Sequence, residues 1–311
     1  MPSLGPAARL RRLLDSLASQ TVEHETIVID NASPGAEVSE LCRDYDFASA
    51  VRLERNGGFT APMNLAAGRA AGDTLVMLND DCVCEPEFVE RIAAALDPGA
   101  GVVMSAGVTR DVAAPQRIDS AGMELDRTLL VYDYLNGEPL SALGPGTPDP
   151  IGPSAKAAAF DRSAFLGAGG FDERLFAYWE DVDLVLRLIG EGGRCRLAAD
   201  ARATHEHSAT LGSGSVAKNY LSGFGRAYVM RKWGVLSARR LGPVLARELV
   251  IVGGQAVIDR NVAGLRGRVR GWLAASPEHP YPAGAAAAGG GSPLLRNLAR
   301  RLARRRRIAR S

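Results

Sequence analysis

The chain has 311 residues, which is enough for one large domain or for one domain with an appendage. Hydrophobic residues make up 46% of it and charged residues 23%, a balance that is typical of globular proteins and excludes an intrinsically disordered chain. The formal net charge is +2, but residues 292–311 contain eight arginines and no acidic residue. The body of the chain is therefore mildly acidic and its end is strongly basic.

The cysteines and the hydropathy pattern predict a cytoplasmic protein. The four cysteines show neither a CxxC pair nor a zinc-site spacing, and a chain of this length needs no disulfides. Residues 1–20 carry arginines inside a helical pattern, unlike a secretory signal. The longest apolar run, Leu249–Ile258, is about half of the roughly 20 residues that a membrane span requires. We therefore expect no membrane span.

The first third of the chain alternates between helical and strand patterns. The predicted helices are 7–19, 36–45, 60–71 and 86–96, and the predicted strands are 25–30, 50–54, 74–79 and 101–108. In the first helix, leucines recur at the spacing of one helix face. Strands that alternate with helices of about ten residues predict an α/β fold with a mostly parallel, doubly wound sheet flanked by helices.

The pattern changes after residue 110. The later predicted elements are a hairpin and a Pro/Gly-rich loop at 117–150, a helix at 181–190, a strand at 193–198 and helices at 216–233 and 238–258. Residues 276–293 have the Ala, Gly and Pro content of a flexible linker.

Polar residues follow three of the predicted strands. These polar ends are Asp30–Asn31, the Asn-Gly-Gly of 56–58 and the Asn-Asp-Asp of 79–81. In open α/β sheets, ligands bind at the carboxyl ends of the strands. Adjacent carboxylates at Asp80 and Asp81 repel each other unless a cation lies beside them, and Mg²⁺ or Mn²⁺ bound to a diphosphate is the usual solution. The alternative is that both aspartates cap the next helix or lie solvated in a loop.

Two further polar groups lie downstream. Glu180, Asp181 and Asp183 cluster at the start of a predicted helix, where the helix dipole alone would favour acidic residues. His205 follows a predicted strand within the segment THEHS, and a lone histidine at such a position is commonly an ordinary loop residue. Neither group identifies a site by itself.

Five segments in a fixed order carry a family resemblance. They are VIDNAS, RNGGFTAPMNLAAG, LVMLNDD, GGFDERLFAYWEDVDLVLRL and THEHS. In this order they resemble the family 2 glycosyltransferases of GT-A fold, and within that family the rhamnosyltransferase-like branch of bacteria. The resemblance covers about residues 8–235, and the joint occurrence of all five segments is far more specific than any one of them.

The resemblance implies a role for eight residues. Asp30 matches the aspartate that binds the nucleobase of the sugar donor, and Asn56 and Asn64 match residues of the donor pocket. The residues at 79–81 match the Asn/Asp-x-Asp motif, with Asn79 facing the ribose, Asp80 beside the nucleotide sugar and Asp81 on the metal.

The same resemblance extends to the acidic helix and the histidine. His205 matches the histidine that completes the metal and diphosphate site, and Asp181 matches the general base. The implied cofactor is a divalent cation, Mg²⁺ or Mn²⁺. The implied reaction is an inverting hexosyl transfer from a dTDP- or UDP-sugar, with dTDP-rhamnose as the first donor to test.

The chemistry of such a transfer agrees with two separate acidic groups. The departing nucleoside diphosphate needs a cation to neutralise it, and the acceptor hydroxyl needs a carboxylate to take its proton. The acceptor can be a lipid-linked saccharide, a polysaccharide end or a small natural product, which fits cell wall or polysaccharide biosynthesis.

Two features depart from the family pattern. Family members begin with a central apolar strand, whereas only MPSLGP precedes the first helix here, and we expect no strand in it. We therefore expect that the start is set too late or that the protein is natively truncated. In addition, Lys156 stands in the loop where the family often has a small residue. Lys156 either reaches a donor phosphate or is a solvated strand residue, and we favour the solvated position.

Two other functions remain open. A nucleotidyltransferase shares the sheet and the paired carboxylates, but it would need a glycine-rich phosphate loop that the sequence lacks. A catalytically inactive, membrane-associated scaffold of the same fold is the second alternative, although the polar motifs are all present.

The resemblance and the composition together predict four regions. They are a GT-A domain at 1–235, a helical extension at 236–275, a flexible linker at 276–293 and a basic amphipathic tail at 294–311. The tail has leucines on one side and arginines over the remainder, which is typical of a helix that lies on an anionic membrane surface. We therefore predict a peripheral location on the inner face of the cell membrane, and no nucleic-acid partner.

Overall fold

The computed structural model describes residues 1–126, 128–206, 214–282 and 285, and it confirms the α/β class. The strands are β1 (Pro2–Ser3), β2 (Thr26–Asp30), β3 (Ala48–Arg52), β4 (Thr74–Leu78), β5 (Cys82–Cys84), β6 (Val102–Asp111), β7 (Ala114–Ser120), β8 (Met123–Leu125), β9 (Val131–Asp133), β10 (Ala157–Asp161) and β11 (Arg194–His205). The helices are α1 (Ala7–Ala18), α2 (Glu37–Cys42), α3 (Thr60–Arg69), α4 (Phe88–Ala94), α5 (Arg162–Gly167), α6 (Glu180–Gly190), α7 (Val216–Lys232), α8 (Ala238–Ile258) and α9 (Ala263–Ala274).

The strands form a parallel sheet, a mixed sheet and a short hairpin. The parallel sheet has the order β1-β2-β3. The mixed sheet has the order β4-β10-β6-β11-β5, and β7 pairs with β6. Within it β11 runs parallel to β6, whereas β10 runs antiparallel to both β4 and β6. The sequence predicts the alternation of elements but not this antiparallel insertion, because strand patterns do not specify a partner.

The segment MPSLGP does contain a strand, so our expectation of none was wrong. Pro2 and Ser3 pair in parallel with Ile29 and Asp30, and the amide of Asn31 donates to the carbonyl of Ser3 at 2.8 Å. Proline is tolerated in β1 because this strand is at the edge of its sheet and needs no donor on its free side. Two residues of extended backbone are enough to pair with β2. A strand this short shows no apolar pattern, which is why the sequence did not predict it.

The helices cover the sheets with apolar faces. The predicted leucine face of α1 is buried throughout, with Leu10, Leu13 and Leu14 at 0% exposure. These leucines pack with Val28 of β2 and Ala159 of β10, so α1 joins the two sheets in one core. Burial of each such leucine contributes roughly 1.5–3 kcal/mol.

A buried ionic network holds α6 against α7. Asp183 is fully buried and accepts hydrogen bonds from Trp233 Nε1 at 3.0 Å, Arg187 Nε at 3.0 Å and Lys232 Nζ at 3.1 Å. Lys232 is 3% exposed and also donates to Asp172 Oδ2 at 2.8 Å. The network fixes the axis of α6 and therefore the position of its first turn.

The described part of the predicted linker lies on the body of the protein. The amides of Glu278 and His279 donate to the carbonyl of Lys232 at 2.9 and 3.1 Å, and the His279 ring packs on Trp233. Apart from Ala285, the rest of the predicted linker from residue 283 and the whole predicted tail at 294–311 lie outside the described residues.

One helix of the described residues is long and apolar enough to cross a membrane by length and composition. This segment, Arg240–Ile258 within α8, has a mean hydropathy of 1.5 over an 18-residue window, and only 11% of the window is buried. We expected no span because the uninterrupted apolar run, Leu249–Ile258, is short. Arg247 and Glu248 are few enough charges for the longer segment to qualify by length and composition.

We predict that Lys232→Met destabilises the fold by about 3–5 kcal/mol, because it leaves the buried carboxylates of Asp172 and Asp183 without their shared cation. Chemical denaturation measures the change. The matched control is Arg174→Met, since Arg174 binds the same Asp172 at 2.9 Å but has a 55% exposed side chain. The control should lose at most about 1 kcal/mol. Equal, small losses in both variants would show that the network does not hold the helices.

Candidate active site

A cavity of about 480 Å³ opens beyond the carboxyl ends of β2 and β4. Its size is within the range of small-molecule sites. Its polar lining consists of Ser3, Asn31, Asn56, Asn79, Asp80, Asp81, Asp133, Ser154, Lys156, Tyr178, Glu180, Asp181, His205 and Lys218. Six of the eight residues that the sequence singles out therefore lie on one cavity. The two others, Asp30 and Asn64, do not line it.

An imidazole stands between two carboxylates at the inner end of the cavity. His205, the last residue of β11, places Nε2 at 3.3 Å from Asp81 Oδ1 and Nδ1 at 3.2 Å from Asp119 Oδ2. All three side chains are buried. Burial by itself would lower the pKa of His205, but the two carboxylates outweigh it and raise this pKa above its ordinary value. The arrangement favours positive charge between Asp81 and Asp119.

Asp119 is a site residue that the sequence reasoning missed. It lies on β7 and also accepts from Thr109 Oγ1 at 3.2 Å and from Lys156 Nζ at 3.1 Å. Its segment reads as part of a hairpin, and no local motif distinguishes its carboxylate from a surface one. Its role follows from the pairing of β7 with β6, which carries it to the end of β11.

Lys156 is mostly buried and ion-paired, so our expectation of a solvated strand residue was wrong. Its Nζ forms ion pairs with Asp119 at 3.1 Å and Asp133 at 2.8 Å, and its side chain is 15% exposed. Burial alone would lower the pKa of Lys156, but the Asp133 and Asp119 carboxylates raise it above its ordinary value. The raised pKa keeps Lys156 charged at neutral pH, and its side chain lines the cavity, where an anion would meet it.

The two other residues of the Asn-Asp-Asp segment also face the cavity. Asn79 lines it, and Asp80 accepts a hydrogen bond from Ser3 Oγ at 2.6 Å. Burial raises the pKa of Asp80 above its ordinary value. The contact with Ser3 means that β1 supplies part of the wall, which the sequence did not predict.

Asp30 is fully buried beside the cavity instead of in it. Its carboxylate accepts from the amide of Ser33 at 2.9 Å, from Ser39 Oγ at 3.0 Å and from Arg52 Nη1 at 2.5 Å. Burial alone would raise the pKa of Asp30, but these bonds lower it below its ordinary value. The cavity wall at this place is the neighbouring Asn31.

Asn31 and Asn56 connect two loops of the wall. Asn31 Nδ2 donates to Asn56 Oδ1 at 3.0 Å and to the carbonyl of Gly58 at 2.7 Å. Gly58 has a φ of +76°, and a Cβ there would clash with the carbonyl of Phe176, so this position requires glycine. Its neighbour Phe59 donates its amide to that same carbonyl at 2.7 Å, which ties this loop to the segment before α6.

Asn64 serves a different contact from the one that the sequence suggested. Its side chain accepts from the amide of Phe171 at 2.8 Å and donates to the carbonyl of Phe171 at 2.9 Å. This pair of bonds joins α3 to the segment that leads into α6. Asn64 therefore holds the segment around Phe171 in place and does not line the cavity itself.

The first turn of α6 begins on a strained backbone. Tyr178 and Trp179 have φ values of +70° and +78°, which non-glycine residues rarely adopt. Gly225 of α7 allows this conformation, because a Cβ there would clash with Tyr178 and Trp179. Such strain is typical of functional sites. The turn directs Glu180 and Asp181 to the cavity.

The two carboxyl groups of this turn differ in their surroundings. Glu180 is 6% exposed, and its Oε2 has no hydrogen-bond partner among the described residues. Asp181 is partly exposed and accepts from the amide of Val182 at 2.8 Å. Burial raises the pKa of both groups, and that of Glu180 rises well above its ordinary value. Glu180 therefore keeps its proton to higher pH than an ordinary glutamate does, and Asp181 is the more exposed of the two carboxyl groups.

The site suits a divalent cation that also binds ligand oxygens. Asp81 Oδ1 is buried and lies 3.3 Å from His205 Nε2, so a carboxylate oxygen and an imidazole nitrogen stand side by side. Among the described residues, no cluster of three or more His, Cys, Asp or Glu side chains has metal-binding geometry. Two protein ligands with phosphate and water oxygens are a usual set for Mg²⁺ or Mn²⁺.

Comparisons with known proteins agree with this geometry. Residues 1–151 match the family described as Glycosyl transferase family 2. The chain is 29% identical over 219 residues to the "O-antigen biosynthesis protein RfbC" of Myxococcus xanthus, covering 65% of this chain and 16% of that protein. It is 26% identical over 203 residues to an "Uncharacterized glycosyltransferase" of Haemophilus influenzae, covering 61% of each. The chain therefore spans less than two thirds of the length of both relatives.

Solved structures share the fold at low sequence identity. The structure of GalNAc-T7 with UDP, GalNAc and Mn²⁺ superposes with a TM-score of 0.59 at 15% identity, covering 86% of this chain and 52% of that one. The mannosyltransferase PcManGT of Pyrobaculum calidifontis with GDP-Man and Mn²⁺ gives 0.53 at 17% identity, covering 97% and 78%. The chain thus has a GT-A-like glycosyltransferase fold whose residues 1–151 match glycosyl transferase family 2.

Proposed function

We propose that the protein is a metal-dependent, inverting glycosyltransferase that moves a hexosyl group from a nucleotide sugar to an acceptor hydroxyl. The observation that carries the proposal is that one cavity holds both the Asp81–His205 pair and Asp181, although Asp81 and Asp181 are a hundred residues apart in sequence. One group can hold the leaving diphosphate while the other activates the nucleophile.

The donor is proposed to lie across the carboxyl ends of β2 and β4. Asn56 and Asp30 bind its nucleoside end, and Asn79 and Asp80 contact the ribose and the diphosphate. Because Asp30 is fully buried, a direct contact with the base requires Arg52, whose side chain is 44% exposed, to move aside. Asn64 acts on the same pocket indirectly, through its bonds to Phe171.

The leaving group is proposed to meet two positively charged groups, a divalent cation and Lys156. Asp81 and His205 would hold the cation, which would supply Lewis-acid stabilisation of the diphosphate when bound. Lys156 lines the same cavity and would bind a phosphate oxygen directly. A buried cation of this kind interacts more strongly with an anion than a solvated one does.

Asp181 is proposed as the general base. Its raised pKa brings it closer to neutral pH than an ordinary aspartate, which makes it a better proton acceptor while it remains ionised. The raised pKa of the neighbouring Glu180 favours its uncharged form, which would lessen repulsion of the diphosphate. Attack by the acceptor from the face opposite to the diphosphate would invert the anomeric centre.

Asp119 is proposed as a positioning residue for the cation site. Its carboxylate would accept the Nδ1 proton of His205 and so orient the ring with Nε2 towards Asp81, 3.3 Å away. Asp119 also accepts a hydrogen bond from Lys156, so one buried carboxylate would position both His205 and Lys156.

The donor and the acceptor follow from similarity alone. A dTDP-sugar, with dTDP-rhamnose first, or a UDP-sugar is the proposed donor, and a saccharide is the proposed acceptor. The similarity to an O-antigen biosynthesis protein favours a lipid-linked or polysaccharide acceptor. A peripheral location at the cytoplasmic face of the membrane through the tail at 294–311 remains a prediction.

We predict that the purified chain with Mn²⁺ and acceptor releases nucleoside diphosphate from one member of a panel of dTDP-rhamnose, UDP-GlcNAc and GDP-mannose. Asp181→Asn should lower this transfer about 10²–10⁴-fold without weakening nucleotide binding, because the base acts on the acceptor. Calorimetry measures the binding.

The matched control for this experiment is Glu191→Gln, an exposed carboxylate at the other end of the same helix. It should transfer at the normal rate. Near-normal transfer by Asp181→Asn would remove its role as base. Binding of a donor with no release from any panel member would instead support the inactive scaffold.

We predict that Asp119→Asn weakens Mn²⁺ binding in the presence of nucleoside diphosphate about 10–100-fold, because His205 loses the carboxylate that orients it. Mn²⁺ titration followed by electron paramagnetic resonance measures the affinity without turnover. Asp133→Asn is the matched control, since Asp133 contacts the same Lys156 at 2.8 Å. A loss of Mn²⁺ affinity that is equal in both variants would show that the effect runs through Lys156 and not through His205.

A further inference from the structure

Helix α9 buries its small residues and exposes its large ones. Gly264, Gly267 and Gly271 are buried, and a Cβ on Gly267 or Gly271 would clash with backbone carbonyls of α7. A helix of a water-soluble protein normally directs its large apolar residues to the core. Close packing through small residues, with large apolar residues outward, is instead typical of helices in contact with lipid.

The outward residues of α9 are apolar to an unusual extent. Val269 is 54% exposed, Leu273 is 70% exposed and Trp272 is 36% exposed. They recur at the spacing of one helix face, on the side away from the buried glycines. Water is therefore in contact with a continuous apolar strip along this helix.

Helix α8 presents a second strip of the same kind. Every exposed residue between 241 and 257 is apolar or glycine. The largest exposures are those of Leu249 at 75%, Val257 at 78% and Leu245 at 53%. We call the six residues Leu245, Leu249, Val257, Val269, Trp272 and Leu273 the α8–α9 apolar face.

Polar contacts on the opposite side fasten α8 to the body of the protein. Glu248 forms ion pairs with Arg226 of α7 and Arg268 of α9, and Arg247 pairs with Asp126 at 3.2 Å. Crossing a bilayer would break these pairs and leave charges in hydrocarbon at a cost of several kcal/mol. The helix is therefore placed to lie along a surface and not to span one.

The exposed charges around the α8–α9 apolar face are basic. Among the side chains that the structure describes from 240 to 274, the exposed charged residues are Arg260, Arg266 and Arg270. An apolar face bordered by arginines complements an anionic lipid surface. Pairing of this face with that of a second copy would bring like charges together, which disfavours a dimer.

We propose that the α8–α9 apolar face docks onto an anionic lipid bilayer, with α8 and α9 lying in the plane of its headgroup region. This contact is separate from the tail at 294–311 and does not depend on the sugar chemistry of the cavity. It would hold the protein at the membrane through buried apolar area as well as through charge.

The test uses the full chain with vesicles of phosphatidylglycerol and brominated phosphatidylcholine, and with vesicles of phosphatidylcholine alone. Of the three tryptophans, Trp179 and Trp233 are buried, so quenching by bromine reports on Trp272. We expect binding to the anionic vesicles, quenching of Trp272, and partitioning that falls about tenfold or more in the double variant Leu249→Gln/Leu273→Gln.

The matched control is Val112→Gln/Leu166→Gln, which changes two exposed apolar residues outside the face, 59% and 39% exposed. It should bind as the unchanged chain does. Equal partitioning of the Leu249→Gln/Leu273→Gln variant and the control would overturn the proposal. Binding without quenching of Trp272 would assign the contact to the tail. A dimer that only the Leu249→Gln/Leu273→Gln variant loses, with no vesicle binding, would assign the face to a second copy.

Discussion

The cavity depends on a single buried carboxylate, that of Asp119. Lys156 and His205 lie near the end of the mixed sheet, and each would be costly to bury without a partner. Asp119 pairs with both, and it accepts a hydrogen bond from Thr109 on the neighbouring strand. Thr109, Asp119 and His205 lie on β6, β7 and β11, and Lys156 directly precedes β10, so the pairing of these strands brings the groups together. The groups proposed to act on the diphosphate are therefore positioned by strand pairing.

The start of helix α6 also combines a buried ion pair with carboxyl groups that face the cavity. Asp183, two residues after Asp181, is buried with Lys232, while Glu180 and Asp181 face the cavity with raised pKa values. One helix start therefore carries a carboxylate that anchors it and a carboxylate that is available for chemistry. The strained backbone of Tyr178 and Trp179 separates the helix from the loop before it and turns its first residues inward.

Much of this arrangement could be predicted from the sequence, since α1, β2, β4 and α6 follow hydrophobic periodicity and the polar residues that end the strands meet at one edge. Three features could not be predicted from the sequence. Asp119 belongs to a hairpin without a motif, and β1 has too few residues for a pattern. The burial of Lys156 depends on two aspartates distant in sequence, Asp119 and Asp133. Strand pairing, which sequence patterns do not encode, determines which of these groups meet.

The proposed function requires that the diphosphate of a nucleotide sugar and a divalent cation bind between Asp81, His205 and Lys156. The most direct measurement is a crystal structure of the protein with Mn²⁺ and a nucleoside diphosphate, with the metal located by its anomalous scattering. We predict a metal peak within about 2.0–2.3 Å of Asp81 Oδ1 and His205 Nε2, with the diphosphate beside Lys156. A nucleotide bound elsewhere, or a metal without contact to either residue, would contradict it.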